Sequence, residues 1–394
     1  MAISAYLAKN PFHTRMKKGI RYSLLALLLL FAGYLTWSSL GRVAPAPDHD
    51  LHLDTSFTVF QDSGKGNIVG ISPYMTPADY ASVDNFTSKL DGYLSQAKAN
   101  GWLNPRTVVI FPEYIGSWLV IDGEKSSIYT APTAQRALAR YVSSNFFNYL
   151  RAWFTAPDSA IDKVKHAIFA SKGQTMAGQY VDVFSGLAKK YHTSIVAGSI
   201  LLPNPEYHKG HIDTWKGSLR NISCVFDTAG KLQPFLAVKA YPTADEQPFI
   251  EGGEAHAIPS FPLPAGRVSV LVCADSWYPA AYENLRRDGT RIVAVPSFTQ
   301  EDEVMSAPWS GYSGFPAPVD VDKGDIGKLT LGEAWVKYTI GGRMKGEGRY
   351  GMIVPLRGHM WDMGSDGPII AVAGDSVITG PHGRGASMAC VWLQ

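Results

Sequence analysis

Cysteine is scarce and odd in number: Cys224, Cys273 and Cys390 are the whole supply in 394 residues. Three thiols cannot staple a small disulfide scaffold, and at least one must stay unpaired. Charge is modest, at 18% of residues, and the 36 basic side chains nearly balance the 34 acidic ones. With 46% apolar residues, the chain is neither a disordered regulator nor a collagen-like fibre. It has no internal repeat, no low-complexity tract and no dinucleotide fingerprint after a strand, and Gly64-Lys65-Gly66 is too short to cradle phosphate. Acids are missing altogether before Asp48, whereas Lys9, Arg15, Lys17, Lys18, Arg21 and Arg42 all precede it. Without those six bases the body is acidic by four charges, a poor grip for nucleic acid.

Only one long apolar run is present. Tyr22 to Gly41 is uncharged over 20 residues, and a helix of that length spans the roughly 30 Å hydrocarbon core of a bilayer. Five bases before it and one after it predict a cytoplasmic N-terminus and an extracytoplasmic body, periplasmic if the source is bacterial. Tyr34 and Trp37 sit toward the far end, where amphipathic rings favour the interface. A cleaved signal peptide is the alternative, but Pro47 directly after Ala44-Pro45-Ala46 makes a poor cleavage context. The division expected is therefore a basic cytoplasmic segment at 1–21, a transmembrane anchor at 22–41, a linker at 42–65 and one α/β body at 66–394.

Within the body, runs that are apolar throughout alternate with helical periodicity. Strands are expected at 67–72, 106–111, 193–201, 219–226, 234–240, 267–273, 291–297 and 350–356. Between the first two, Phe86, Leu90, Tyr93, Leu94 and Ala97 recur at spacings of three and four, the mark of an amphipathic helix, and Tyr180, Val183, Leu187 and Ala188 mark another. Fully apolar strands with helices between them imply sheets covered by helices. Cys224 and Cys390 fall inside such strands, where a cysteine behaves as a small hydrophobe.

Three reactive residues end or nearly end three of these runs: Glu113 after RTVVIFP, Lys239 after PFLAV and Cys273 after RVSVLV. Ligands collect outside the carboxyl ends of strands in covered sheets, so the trio meets on one rim if its strands are parallel neighbours. An ammonium lowers a thiol's pKa toward the thiolate, a carboxylate shuttles the proton, and the ammonium with a backbone N–H steadies an oxyanion.

The segments VVIFPEY, GKLQPFLAVKAYPTADE and VSVLVCADSWYP resemble the glutamate, lysine and cysteine motifs of the nitrilase, or carbon–nitrogen hydrolase, superfamily. The blocks NIVGISPYM, VDVFSGLAKKYHTSIVAGSIL and NISCVFDTAGKL agree, and the likeness covers roughly residues 66 to 380. It implies a four-layer αββα sandwich and a catalytic Glu113–Lys239–Cys273 triad. It further implies an auxiliary role for Glu246, for which a solvated loop acid is the competing reading. Tyr114, Ala274 and Trp277 become substrate-pocket candidates, with Ala274 standing where many relatives carry an aromatic residue. The implied activity is thiol hydrolysis of a non-peptide carbon–nitrogen bond, in an amide or a nitrile, with neither cofactor nor metal. The alternatives are an N-acyltransferase using the same triad with an amine acceptor, and an inactive anchored scaffold. Relatives suggest a homo-oligomer.

One stretch exceeds what compact relatives use, at about 125–176. It crowds Tyr141, Phe146, Phe147, Tyr149, Leu150, Trp153 and Phe154 together. Aromatic stripes at helical spacing are usually core, so packing onto the sandwich or an oligomer contact is expected. The alternative is an interfacial element that touches the membrane or gates an acylated substrate. His208 and His211 read as a solvated pair, His359 and His382 have no context that places them beside Cys273, and the glycosylation-like Asn85 and Asn221 read as incidental.

Overall fold

Alternate residues of the central strands feed two different cores, which is why those strands carry no polar face. The computed structural model describes residues 11–47 and 50–394, with side chains from Gly19 onward. Lys9 and Asp48 lie outside the described residues, as do the side chains of Arg15, Lys17 and Lys18. Helix α1, Pro11–Ser39, leads, and its part from Gly19 to Ser39 is long and apolar enough to cross a membrane.

After it come β1 (Leu53–Val59), β2 (Asn67–Ser72), α2 (Val83–Ala99) and β3 (Thr107–Ile110). Helices α3 (Ala134–Ser144), α4 (Phe146–Phe154) and α5 (Lys163–Ala170) precede the long α6 (Gly173–Tyr191). Then follow β4 (Ser194–Val196), β5 (Ile200–His208), β6 (His211–Ser223), β7 (Val225–Phe226) and β8 (Ala237–Val238). The next elements are β9 (Ser260–Leu263), β10 (Gly266–Val270), α7 (Ala280–Arg287), β11 (Ile292–Ser297) and α8 (Leu331–Tyr338). Strands β12 (Tyr350–Pro355), β13 (Ile370–Ala373), β14 (Ser376–Thr379) and β15 (Ala386–Trp392) complete the series.

Two six-stranded sheets result, ordered β1-β15-β2-β3-β4-β7 and β9-β10-β11-β12-β13-β14. The inner strands β2, β3 and β4 are parallel, as are β10, β11 and β12. Ile68, Val108 and Val196 pack with Val268, Val270, Met352 and Val354 in the core between the sheets. Their neighbours Val69, Val109 and Ile195 pack instead with Phe86, Leu90, Tyr180 and Phe184 of α2 and α6. Helices α7 and α8 cover the second sheet with Ala281, Leu285, Ala334 and Trp335. The layers are thus helix, sheet, sheet, helix. Each fully buried Leu, Ile, Val or Phe contributes roughly 1.5–3 kcal/mol.

Several expected strands are shorter or divided. The run at 193–201 breaks at Gly198, that at 219–226 is shared by β6 and β7, and that at 234–240 pairs only at Ala237–Val238. The strands before Glu113, Lys239 and Cys273 are not parallel neighbours, because β3, β8 and β10 belong to three different sheets. Stacking of the two large sheets, with the small β5-β6-β8 sheet beside them, brings their ends together. All three cysteines are free and buried.

Gly198 takes φ +67°, and a Cβ there would lie 2.1 Å from the Pro112 carbonyl oxygen and 2.5 Å from Ile115 Cγ2. The backbone next to Glu113 therefore rests on a position only glycine fits. Gly198→Ala should destabilise the protein by about 1–3 kcal/mol or more, read as a lower Tm in thermal unfolding. An unchanged Tm would show that this turn has room to relax.

Candidate active site

Each reactive side chain stands on a turn held by backbone hydrogen bonds. Behind Glu113, the Ser199 N–H donates to the Pro112 carbonyl at 3.2 Å, and the Glu113 N–H donates to the Ser297 carbonyl at 3.3 Å. The Tyr114 N–H donates to Ser199 Oγ at 2.9 Å, and Tyr114 itself is left-handed at φ +62°. The Lys239 N–H donates to the Asn221 carbonyl of β6 at 2.9 Å. Cys273 begins a short 3₁₀ turn, Cys273–Trp277, with φ +50°, a conformation uncommon for a residue with a side chain. A buried carboxylate ties the last two turns together. Asp275 accepts from the Ala240 N–H at 2.8 Å, the Tyr241 N–H at 2.9 Å and the Val272 N–H at 3.0 Å. It thereby registers the residue after Lys239 against the residue before Cys273. Burial pushes Asp275 up to about 7, against the pull of those donors and of Lys239.

The side chains converge. Lys239 Nζ lies 2.8 Å from Glu113 Oε1 and 2.7 Å from Glu246 Oε2, with all three groups buried. Glu113 Oε1 also accepts from Asn221 Nδ2 at 2.8 Å, so Oε2 is the oxygen available for proton exchange. The Tyr114 hydroxyl donates to Glu246 Oε1, and the Thr243 N–H donates to Oε2 at 2.7 Å. Cys273 Sγ is 3.6 Å from the Phe298 carbonyl oxygen and close enough to Glu113 for the two groups to shift each other's ionisation.

Burial and the shared ammonium set the charges. Burial raises Glu113 above its ordinary value, outweighing Lys239, and the Glu246 charge adds to that rise. Burial would raise Glu246 as well, but Lys239, Tyr114 and the Thr243 N–H together bring it below its ordinary value. Lys239 is held well above the usual lysine range by the two carboxylates and Cys273, despite its burial. The Cys273 thiol is pushed well up by burial and by Glu113, which together outweigh the ammonium. Lys239 does draw the thiol toward the thiolate, as expected, but burial and the Glu113 charge outweigh it and favour the protonated sulfur. The two carboxyl groups are thus displaced in opposite directions, an arrangement that would suit one to a fixed counter-ion and the other to a proton carrier.

Of the residues singled out in the sequence, Glu113, Lys239, Cys273, Glu246 and Tyr114 meet here, and the solvated reading of Glu246 is excluded by its burial. Ala274 is half-buried beside Cys273. Trp277 is not at this cluster. Its ring joins Trp309, Tyr312 and Trp335, with centroids 5.2–5.8 Å away, in the core of the second sheet. The glycosylation-like pattern at Asn221 is incidental, as expected: the residue is buried, and its amide donates to Glu113. Asp275 was missed, since nothing in a lone aspartate two residues after a cysteine announces three backbone donors. Elsewhere, His359 pairs with Asp302 at 2.9 Å and His208 with Asp213 at 3.2 Å.

A carbon–nitrogen hydrolase family model matches residues 71–315, and the chain belongs to that family. Among solved structures, an amidase from Nesterenkonia sp. AN1, carrying acrylamide added to its active-site cysteine, is similar at 12% identity. That match covers 84% of this chain and 93% of the other, with a TM-score of 0.50. A crystal structure of an amidase from Nesterenkonia sp. matches at 13% identity over 84% and 91% of the two chains, also at 0.50. At such identity the likeness speaks for a shared nitrilase-superfamily fold. A search of curated proteins found no match.

Removing the Glu246 charge tests the division of labour. With that anion gone, Glu113 ionises more easily, so a reaction needing its carboxylate keeps activity to lower pH. Glu246→Gln should shift the acid limb of kcat/KM downward and reduce kcat, because Lys239 loses a counter-ion. A limb that stays put or moves upward would contradict the assignment.

Proposed function

We propose that the protein is a membrane-anchored thiol amidase, with Glu113, Lys239 and Cys273 as its catalytic triad and Glu246 in support. The observation that carries this reading is the buried Lys239 ammonium bridging Glu113 and Glu246, with Cys273 buried beside them. Glu113 takes the thiol proton as Cys273 Sγ attacks the amide carbonyl carbon. Two of the three Lys239 N–H bonds are held by carboxylates, and the third, with a backbone N–H after Cys273, steadies the oxyanion. Glu113 returns the proton to the departing amine as the C–N bond breaks, leaving a thioester. Glu113 then deprotonates a water that attacks the thioester carbonyl, and the sulfur leaves and regains its proton.

Helix α1 supports the anchor by length and composition, properties it shares with signal sequences. With its basic N-terminal flank, the positive-inside bias sets the catalytic body outside the cytoplasm. Phe298, whose carbonyl faces the thiol, also lines a crevice with Met75, Trp118, Leu356, Met360 and Met363.

Hydrolysis of a panel of amides and nitriles, with hydroxylamine as a competing amine, tests the proposal. Cys273→Ala and Glu113→Gln should each lower kcat by about 10⁴-fold or more, and Lys239→Ala by about 10²–10³-fold. Free acid as the dominant product supports the hydrolase. Hydroxamate replacing acid at modest hydroxylamine would point to the acyltransferase, and full activity in Cys273→Ala would overturn the nucleophile.

A further inference from the structure

The aromatic residues of the segment 125–176 range from buried through half-buried, as at Tyr149 and Trp153, to exposed. Tyr141 is fully buried, but Phe146, Phe147 and Phe154 of α4 are exposed, Phe154 to 76%. Ile161 follows at 84%, Val164 at 48% and, across the way on β6, Trp215 at 57%. Arg151 of α4 and Thr155 just after it line one cavity with Trp215 and Lys216, so helix and strand share this side of the molecule.

The exposed face is continuous with α1. Phe147 packs edge-on against Phe31, with centroids 5.4 Å apart, and against Tyr34 at 5.2 Å. The Phe146 N–H donates to the Tyr34 hydroxyl at 3.0 Å, and that hydroxyl donates to the Ser143 carbonyl at 3.2 Å. Just past the helix, Arg42 pairs at 2.9 Å with buried Glu124, which also holds Lys172 at 2.5 Å and Asn145 Nδ2 at 2.8 Å. The exit of α1 is therefore fastened to the start of α6 and to the junction of α3 and α4. Phe31 precedes Ser39, the last residue of α1, by eight positions, about 12 Å of helix. If α1 spans a bilayer, a ring resting on Phe31 lies below the headgroups of the outer leaflet.

Charge agrees. The segment 125–176 carries seven basic and two acidic residues, whereas the rest of the chain beyond Arg42 carries 23 basic and 32 acidic ones. A basic, aromatic segment on an otherwise acidic body is complementary to an anionic lipid surface.

We propose that α4, Ile161, Val164 and Trp215 form a docking surface that enters the outer leaflet of the bilayer crossed by α1. The catalytic domain is then fixed against the membrane instead of swinging on a tether. This rests on the anchored reading of α1 and goes beyond it, since a free tether would leave the same rings in water.

The test uses the full chain in vesicles of phosphatidylcholine and phosphatidylglycerol containing a diazirine-bearing phospholipid, with adducts mapped by peptide mass spectrometry. Adducts are expected at 22–40 and also at 146–164 and Trp215. A Phe154→Ser/Ile161→Ser variant should lose most of the second set and keep the first. Replacing phosphatidylglycerol with phosphatidylcholine should lower the second set about twofold or more. Adducts at 22–40 with none at 146–164 would overturn the docked face and keep the anchor. Adducts at 146–164 alone would keep the docked face and remove the anchor. Crosslinks between protein copies through 146–164, in place of lipid adducts, would assign the face to a second chain and overturn the proposal.

Discussion

One ammonium shared by two buried carboxylates governs the centre of this molecule. Taking three charges out of water costs several kcal/mol per ion, and mutual attraction repays it only when the remaining lone pairs are satisfied. Here they are met by the Asn221 amide, the Tyr114 hydroxyl and the Thr243 N–H. Two acids against one base still leave a surplus negative charge in a dry pocket. A proton on Glu113 relieves that surplus, in keeping with the raised Glu113 and the lowered Glu246.

The surrounding fold serves this geometry. Glu113, Lys239 and Cys273 come from three sheets, so no single strand pairing can set their spacing. Local devices do so instead: the Gly198–Pro112 contact behind Glu113, the β6 carbonyl under Lys239, and Asp275 clasping the turns on either side of the cluster. Two of the residues involved, Tyr114 and Cys273, are held at positive φ. Such strain persists only where surrounding contacts over-determine it.

Much of this was legible in the chain. Unbroken apolar runs announced strands buried on both faces, and the ordered glutamate, lysine and cysteine motifs named the residues that meet. What stayed hidden depended on packing between distant segments. Asn221 read as an incidental sequon with no role at the site, because its tripeptide carries no trace of the acid it touches. Trp277 looked like a pocket wall from its place after Cys273, but its side chain turns into a cluster built from residues 309–335. The thiol's raised pKa was also invisible, since a nearby lysine suggests a thiolate until burial is known. The aromatic segment read as core by its spacing, yet α4 buries only Ala152 among its nine residues and presents most of its rings outward.

The proposed chemistry requires Cys273 to become the acyl carrier within this charged cluster. Mass spectrometry of the full-length protein, quenched in acid during turnover of an amide substrate, measures that directly. The predicted result is a substoichiometric mass increase equal to the acyl group, mapped to the peptide containing Cys273 and absent from those containing Cys224 and Cys390. Turnover with no acyl adduct at any quench time, or an adduct on another residue, would contradict it.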